Sequence, residues 1–221
     1  MNLLHAPLPP LWAAMAWLTL LPIALRSLLR VRSGAGLLGT QQHLWLSGVV
    51  LLSWLWTLQA LAVQEAAFGL LGGAFYALIF GRHWARLGLL VALALHTGLG
   101  GGNWVNFGAN GLLLSVVPTA LASALQRQVE QRLPRNLFVF IIGNGMFVSL
   151  AVTVATSALL VAAGGLSRPA SAGADQFAYA LLLAWGEALA SGMLFSALVI
   201  FGPHLVLTYR QDLYLPPKRS L

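Results

Sequence analysis

Nitrogen ligands are the first chemistry this sequence offers. His5 lies beside the chain start, and His96 ends an apolar run just before Gly98 and Gly100–Gly102. Imidazole binds Ni, Co, Cu and Zn well, and the α-amine of Met1 would add a third nitrogen. The same residues also read as two interfacial histidines that never meet. Glu187 stands inside a long apolar run, in Trp185-Gly186-Glu187-Ala188. An ionised group at the centre of a bilayer costs about 3 kcal/mol, so it needs a role. It is a counter-charge for a cation, an interhelical hydrogen-bond anchor, or a protonated or paired structural carboxyl. Two intramembrane amides stand among small residues, Asn110 beside Gly111 and Asn144 within Gly143-Asn144-Gly145. Small residues let helices approach and amides bond across the gap, which suffices for most of the asparagines; Asn110 is the one singled out as a candidate ligand. There is no nucleophile–base pair and no phosphate-binding loop, so an enzyme is not expected.

The elements that must hold these residues are membrane helices. Of 221 residues, 59% are hydrophobic and 8% charged, against about a quarter charged in a soluble domain. With so little polar surface, lipid must be part of the solvent. The absence of cysteine excludes disulfides, iron–sulfur clusters and thiolate metal sites. Apolar runs at 10–29, 43–63, 66–80, 84–99, 107–125, 136–163 and 177–209 predict an all-α bundle of about seven transmembrane helices in a single domain, 1–221. The runs 66–80 and 84–99 are shorter than the roughly 20 residues of a full crossing, and they are expected to be partly re-entrant or shielded. The last run is long enough to tilt or break at Gly202–Pro203. No basic leader or cleavage site marks a signal peptide, so the N-terminus is expected to be retained.

The net charge of +7 reads as topology rather than as affinity for nucleic acid. With the N-terminus outside, the cytoplasmic ends collect Arg26, Arg30, Arg32, Arg82, Arg86, Arg127, Arg132, Arg135, Arg210, Lys218 and Arg219, leaving only Arg168 outside. The C-terminus is then cytoplasmic. His43 and His83 are expected at cytoplasmic interfaces, and His204 is expected to be structural. The 164–176 segment, rich in Ser, Ala, Gly and Pro, is expected to be a flexible external loop. The 127–135 segment reads as a charged loop whose Arg127, Glu130, Arg132 and Arg135 either dock a partner or only set topology. Eight tryptophans, Trp45, Trp54 and Trp56 among them, fit an interfacial belt or packing against another membrane protein.

The order of several short motifs resembles the substrate-capture membrane subunits of cobalt and nickel energy-coupling-factor transporters, the CbiM/NikM type, and especially a proteobacterial permease branch. Met1-Asn2-Leu3-Leu4-His5-Ala6-Pro7-Leu8-Pro9-Pro10 resembles the family's Met-His start followed by Leu-Pro-Pro. Gly69-Leu70-Leu71-Gly72-Gly73-Ala74 resembles His-Leu-Leu-Gly-Gly-Ala, and Phe107-Gly108-Ala109-Asn110 resembles Leu-Gly-Ala-Asn. Leu133-Pro134-Arg135-Asn136 and Gly186-Glu187-Ala188 through Gly192-Met193-Leu194 resemble the proteobacterial branch. The resemblance implies a multi-pass protein of the bacterial inner membrane, working with a coupling subunit and cytoplasmic ATPases. It also implies a metal held by the terminal amine, the amide and imidazole of residue 2, and the histidine of the His-Leu-Leu-Gly motif. Here residue 2 is Asn2 and the motif histidine is Gly69. Met1 through its amine and Asn2 through its backbone carry over. Two outcomes stay open: a site rebuilt with His5 and His96 for Ni, Co or Cu, or a lost site on a scaffold that serves as an accessory subunit of a larger membrane complex.

Overall fold

The computed structural model describes residues 8–34, 36–62, 72–101, 103–134, 136–165 and 171–209. They form helices and no strands. We label the long helices α1 (Pro10–Ser33), α2 (Gly39–Ala62), α3 (Gly73–His96), α4 (Trp104–Arg132), α5 (Leu137–Ala163) and α6 (Ser171–Phe201). Pro9 and Pro10 open α1, where missing N–H groups cost nothing. Its buried residues Ala13, Leu20 and Ser27 recur every seventh position, so α1 touches the bundle along one narrow stripe. The rest of its surface, Leu11, Met15, Leu18, Leu21, Leu25, Leu28 and Leu29, is exposed. An apolar surface of that width has lipid as its solvent. Five stretches are long and apolar enough to cross a membrane: Pro10–Ser33, Gly73–Leu99, Trp104–Arg132, Leu137–Ala163 and Phe177–Phe201. The chain is thus a polytopic helical membrane protein. α2 matches α1 in length, 24 residues, or about 36 Å of helix.

Gly73–Leu99 is not straight. At Gly81 the backbone has φ 72° and ψ 173°, a conformation essentially confined to glycine. A Cβ on Gly88 would lie 2.4 Å from Tyr76 Cε1, and one on Gly73 would lie 3.7 Å from Leu89 Cδ1. Along a straight helix these pairs would stand about 18 and 24 Å apart at 1.5 Å per residue. Residues 73–80 and 82–96 therefore fold back on each other as a hairpin. The first limb is about 12 Å long and cannot cross alone. Of the run expected at 66–80 to be partly re-entrant or shielded, residues 66–71 lie outside the described residues.

α4 and α5 each contain widened π turns, at Leu112–Val116 and Ile141–Val148. The first lies just ahead of Pro118, which has no N–H to donate backward. α4 continues to Arg132, which corrects the expected loop at 127–135. Gln126 Nε2 donates to Glu130 Oε1 at 3.1 Å, and Arg127 Nε donates to the Ser123 carbonyl at 3.1 Å. The helix stops only where Leu133 turns extended before Pro134, which disfavours helical backbone at the preceding residue. Asn136 then caps α5 by accepting from Phe138 N at 3.0 Å. The expected loop 164–176 is also shorter, since α6 already begins at Ser171 with no proline after Pro169 to prevent it. α6 ends at Phe201, and Gly202–Pro203 turns the chain as expected.

Side-chain contacts give the bundle two distinct ends. Gly108 and Gly111 of α4 pack on Trp17 and Leu20 of α1, so these helices run in the same direction. Arg26 and Arg30 at the end of α1, Arg82, His83 and Arg86 after the hairpin turn, and Arg127 and Arg132 at the end of α4 share one end, called here the basic end. His96, Asn103 and Asn106 lie at the other, the amide end. At the basic end the tail folds under the hairpin: Leu207 N donates to Ile79 O at 2.8 Å, and Thr208 Oγ1 donates to Leu78 O.

Candidate functional site

Three long-range hydrogen bonds organise the polar interior. The first holds Leu8. Leu8 N donates to Asn106 Oδ1 at 3.0 Å, and Asn106 is fully buried. The short 3-10 turn Trp104–Asn106 presents that amide, preceded by Asn103, whose side chain accepts from Val105 N at 2.9 Å. Trp17, Phe107 and Trp104 stack over it, with ring centroids 5.3 and 5.5 Å apart. Leu8, the first described residue, is thereby tied to the amide end of the bundle.

The second bond fixes His96. This residue is 1% exposed and sits where α3 gives way to the π turn Thr97–Gly101. Its Nδ1 lies 3.1 Å from Thr57 Oγ1, and Trp56 stands edge-on to the ring at 6.4 Å. Thr57 Oγ1 commits its own hydrogen to Ser53 O at 2.8 Å, so toward His96 it accepts. His96 Nδ1 is then the donor in this pair. A neighbouring acceptor of this kind orients an imidazole ring.

The third bond joins the two halves of the chain. Glu187, 3% exposed on α6, accepts from Gly72 N at 2.9 Å. Gly72 is left-handed, φ 63°, and caps the half-helix 73–80. A carboxylate oxygen at a helix N-terminus satisfies an orphan N–H and meets the positive end of the helix dipole. Glu187 thus links α6 to the start of the half-helix 73–80.

Met1, Asn2, His5 and Gly69 lie outside the described residues, as does Arg135. Among the described residues no group of three or more His, Cys, Asp or Glu side chains gathers in a way that could hold a metal ion. Asn110 is 3% exposed with Oδ1 unpartnered, and Asn144 is fully buried with neither amide atom partnered. Ser149, Thr153 and Thr156 follow Asn144 along α5 with buried, unpartnered hydroxyls. Arg127, Glu130 and Arg132 end α4 at the basic end, with Glu130 engaged by Gln126 rather than by an arginine. Two cavities of about 350 and 320 Å³ are lined almost wholly by apolar side chains and offer no ligand set for an ion. Sequence reasoning missed the roles of Asn106, Thr57 and Gly72. Only the clustering of Asn103, Asn106 and Asn110 gave a hint.

A family model described as the cobalt uptake substrate-specific transmembrane region, CbiM, matches residues 3–205. No curated protein and no solved structure matches the chain.

Proposed function

The chain belongs to the CbiM family of cobalt-uptake substrate-specific transmembrane components, and from that membership we propose that it captures a divalent transition-metal ion at the amide end. A member of this family is a component of metal-ion transport in the membrane rather than an enzyme, and the ion is its substrate. In our reading the chain makes seven passes with its N-terminus outside and C-terminus in the cytoplasm of a bacterial inner membrane. It has no nucleotide-binding loop, so a coupling subunit and cytoplasmic ATPases would drive the transfer.

The observation that carries this reading is the bond from Leu8 N to Asn106 Oδ1. It holds Leu8 at the end of the bundle where His96 lies. His5 is three residue steps from Leu8, a reach of at most about 11 Å. The proposed ligands are the Met1 amine, the Asn2 backbone, His5 and His96. A nitrogen set of this kind suits Ni(II) or Cu(II) and also accepts Co(II). The test is metal analysis of the protein purified with its partners, and uptake of Co, Ni and Cu by cells expressing it. Near-stoichiometric metal that disappears in His5→Ala, in His96→Ala and after extension of the N-terminus is the expected result. Uptake untouched by both histidine substitutions would end the rebuilt-site reading.

A second reading has its own support. Asn2 and Gly69 replace two of the family's metal-binding histidines, and His96 is already engaged in packing with Thr57 and Trp56. On that reading the chain is a non-transporting accessory subunit that keeps the fold. Metal-free protein recovered from native membranes in a large assembly without ATPases would support it.

A further inference from the structure

Among the described residues, the basic end contains a cation with no counter-charge. Arg86 is 3% exposed, and its guanidinium makes a single hydrogen bond, from Nη1 to Ser27 Oγ at 3.1 Å. Its Nε and Nη2 are buried with no partner. His83 Nδ1 lies 3.4 Å from the same Ser27 oxygen. Arg82, Arg26 and Arg30 stand close enough to add repulsion at this spot rather than relief. The two carboxylates whose side chains are described are engaged elsewhere, Glu130 with Gln126 and Glu187 with Gly72. A buried charge without a counter-ion is among the costliest features a fold can carry. Four arginines gathered around Ser27 and His83, of which only Arg86 bonds the serine, call for an anion.

We propose that this cluster, with Ser27, His83 and Arg86 at its floor and Arg26, Arg30 and Arg82 at its rim, binds the phosphate of an anionic phospholipid from the leaflet at this end. Phosphate suits it because the guanidinium fork matches two phosphate oxygens at once. A lipid, rather than a soluble anion, is indicated by the neighbouring surface. Arg26 and Arg30 lie on α1 among Leu21, Leu25, Leu28 and Leu29, each more than half exposed. Acyl chains lying on those leucines bring the headgroup to the rim arginines. Arg86 is held by one bond only, so its fork can turn to meet the phosphate. Basic pockets between membrane helices bind such headgroups by this combination of charge and apolar contact.

The test uses the full chain in nanodiscs of phosphatidylcholine with and without phosphatidylglycerol or cardiolipin. Thermal unfolding is followed by tryptophan fluorescence, and lipid retained after purification is identified by native mass spectrometry. The expected result is a midpoint several degrees higher with either anionic lipid, and co-purified anionic lipid. Arg26→Gln with Arg82→Gln, both at exposed rim positions, is expected to fold and to lower apparent lipid affinity about tenfold for each lost charge-assisted contact. Arg86→Gln is expected to be at least as stable as the parent in phosphatidylcholine and to lose the response to anionic lipid. The proposal is overturned if anionic lipid leaves the midpoint unchanged or if the rim variant retains the same lipid. It is also overturned if inorganic phosphate alone reproduces the shift, which indicates a soluble anion. A shift seen only with a coupling subunit present also overturns it, since the counter-ion is then a partner carboxylate.

Discussion

Single residues carry the most direct tests. His96 Nδ1 donates to Thr57, so Thr57→Val removes the acceptor while leaving the histidine in place. Loss of such an outer partner typically costs about 10–100-fold in metal affinity, and metal content titrated against a chelator is expected to show that drop. Glu187→Ala removes the acceptor of the part-buried Gly72 N–H, at a cost of about 1 kcal/mol. Glu187→Gln keeps an oxygen there and is expected to retain most of the stability, with thermal unfolding in detergent micelles separating the two variants. If the alanine variant unfolds no earlier than the parent, Glu187 does not anchor the half-helix. Asn144 makes the opposite prediction. Its amide is buried with no partner, so Asn144→Leu is expected to raise the unfolding midpoint, because the unpaired polar atoms are removed. A rise accompanied by loss of metal uptake would mean that the amide is kept for transport rather than for packing.

At the scale of elements, the hairpin turn decides the architecture. Gly81 has a backbone that only glycine adopts without strain of about 1–3 kcal/mol, so Gly81→Ala is expected to lower the unfolding free energy by that much. Gly186→Ala is the control: open space surrounds it in α6, and alanine is the better helix former by about 1 kcal/mol. A Gly81→Ala variant as stable as Gly186→Ala would contradict the fold-back. The start of α5 was legible because Asn136 caps a helix through its side chain. The continuation of α4 to Arg132 was less legible. Polar residues from Gln126 to Arg132 look like a loop, yet Gln126 and Glu130 satisfy each other one turn apart on a helix.

For the whole molecule, orientation is the open quantity. The chain has no cysteine, so single cysteines can be introduced and labelled from one side of the membrane. Cysteine at Arg82 or Arg127 is expected to react only from the cytoplasm, and cysteine at Leu99 or Trp104 only from outside. Reversed labelling would invert the reading of the basic end. It would also move the lipid site to the opposite leaflet, without touching the geometry on which that site rests.

Sequence alone determined that this is a helical membrane protein, roughly where its helices begin and end, and that its arginines gather at one end. Hydropathy, proline positions and charge are properties of short stretches, and the bilayer reads each stretch separately. Tertiary structure alone decided what the polar residues do. His96 meets Thr57 across 39 residues, Leu8 meets Asn106 across 98, and Gly72 meets Glu187 across 115. No local period encodes such pairings, because they depend on which helix faces pack together. Arg86 makes the same point: in the sequence it is one more topology-setting arginine, and only packing against Ser27 and Ser115 turns it into a buried charge that needs a partner.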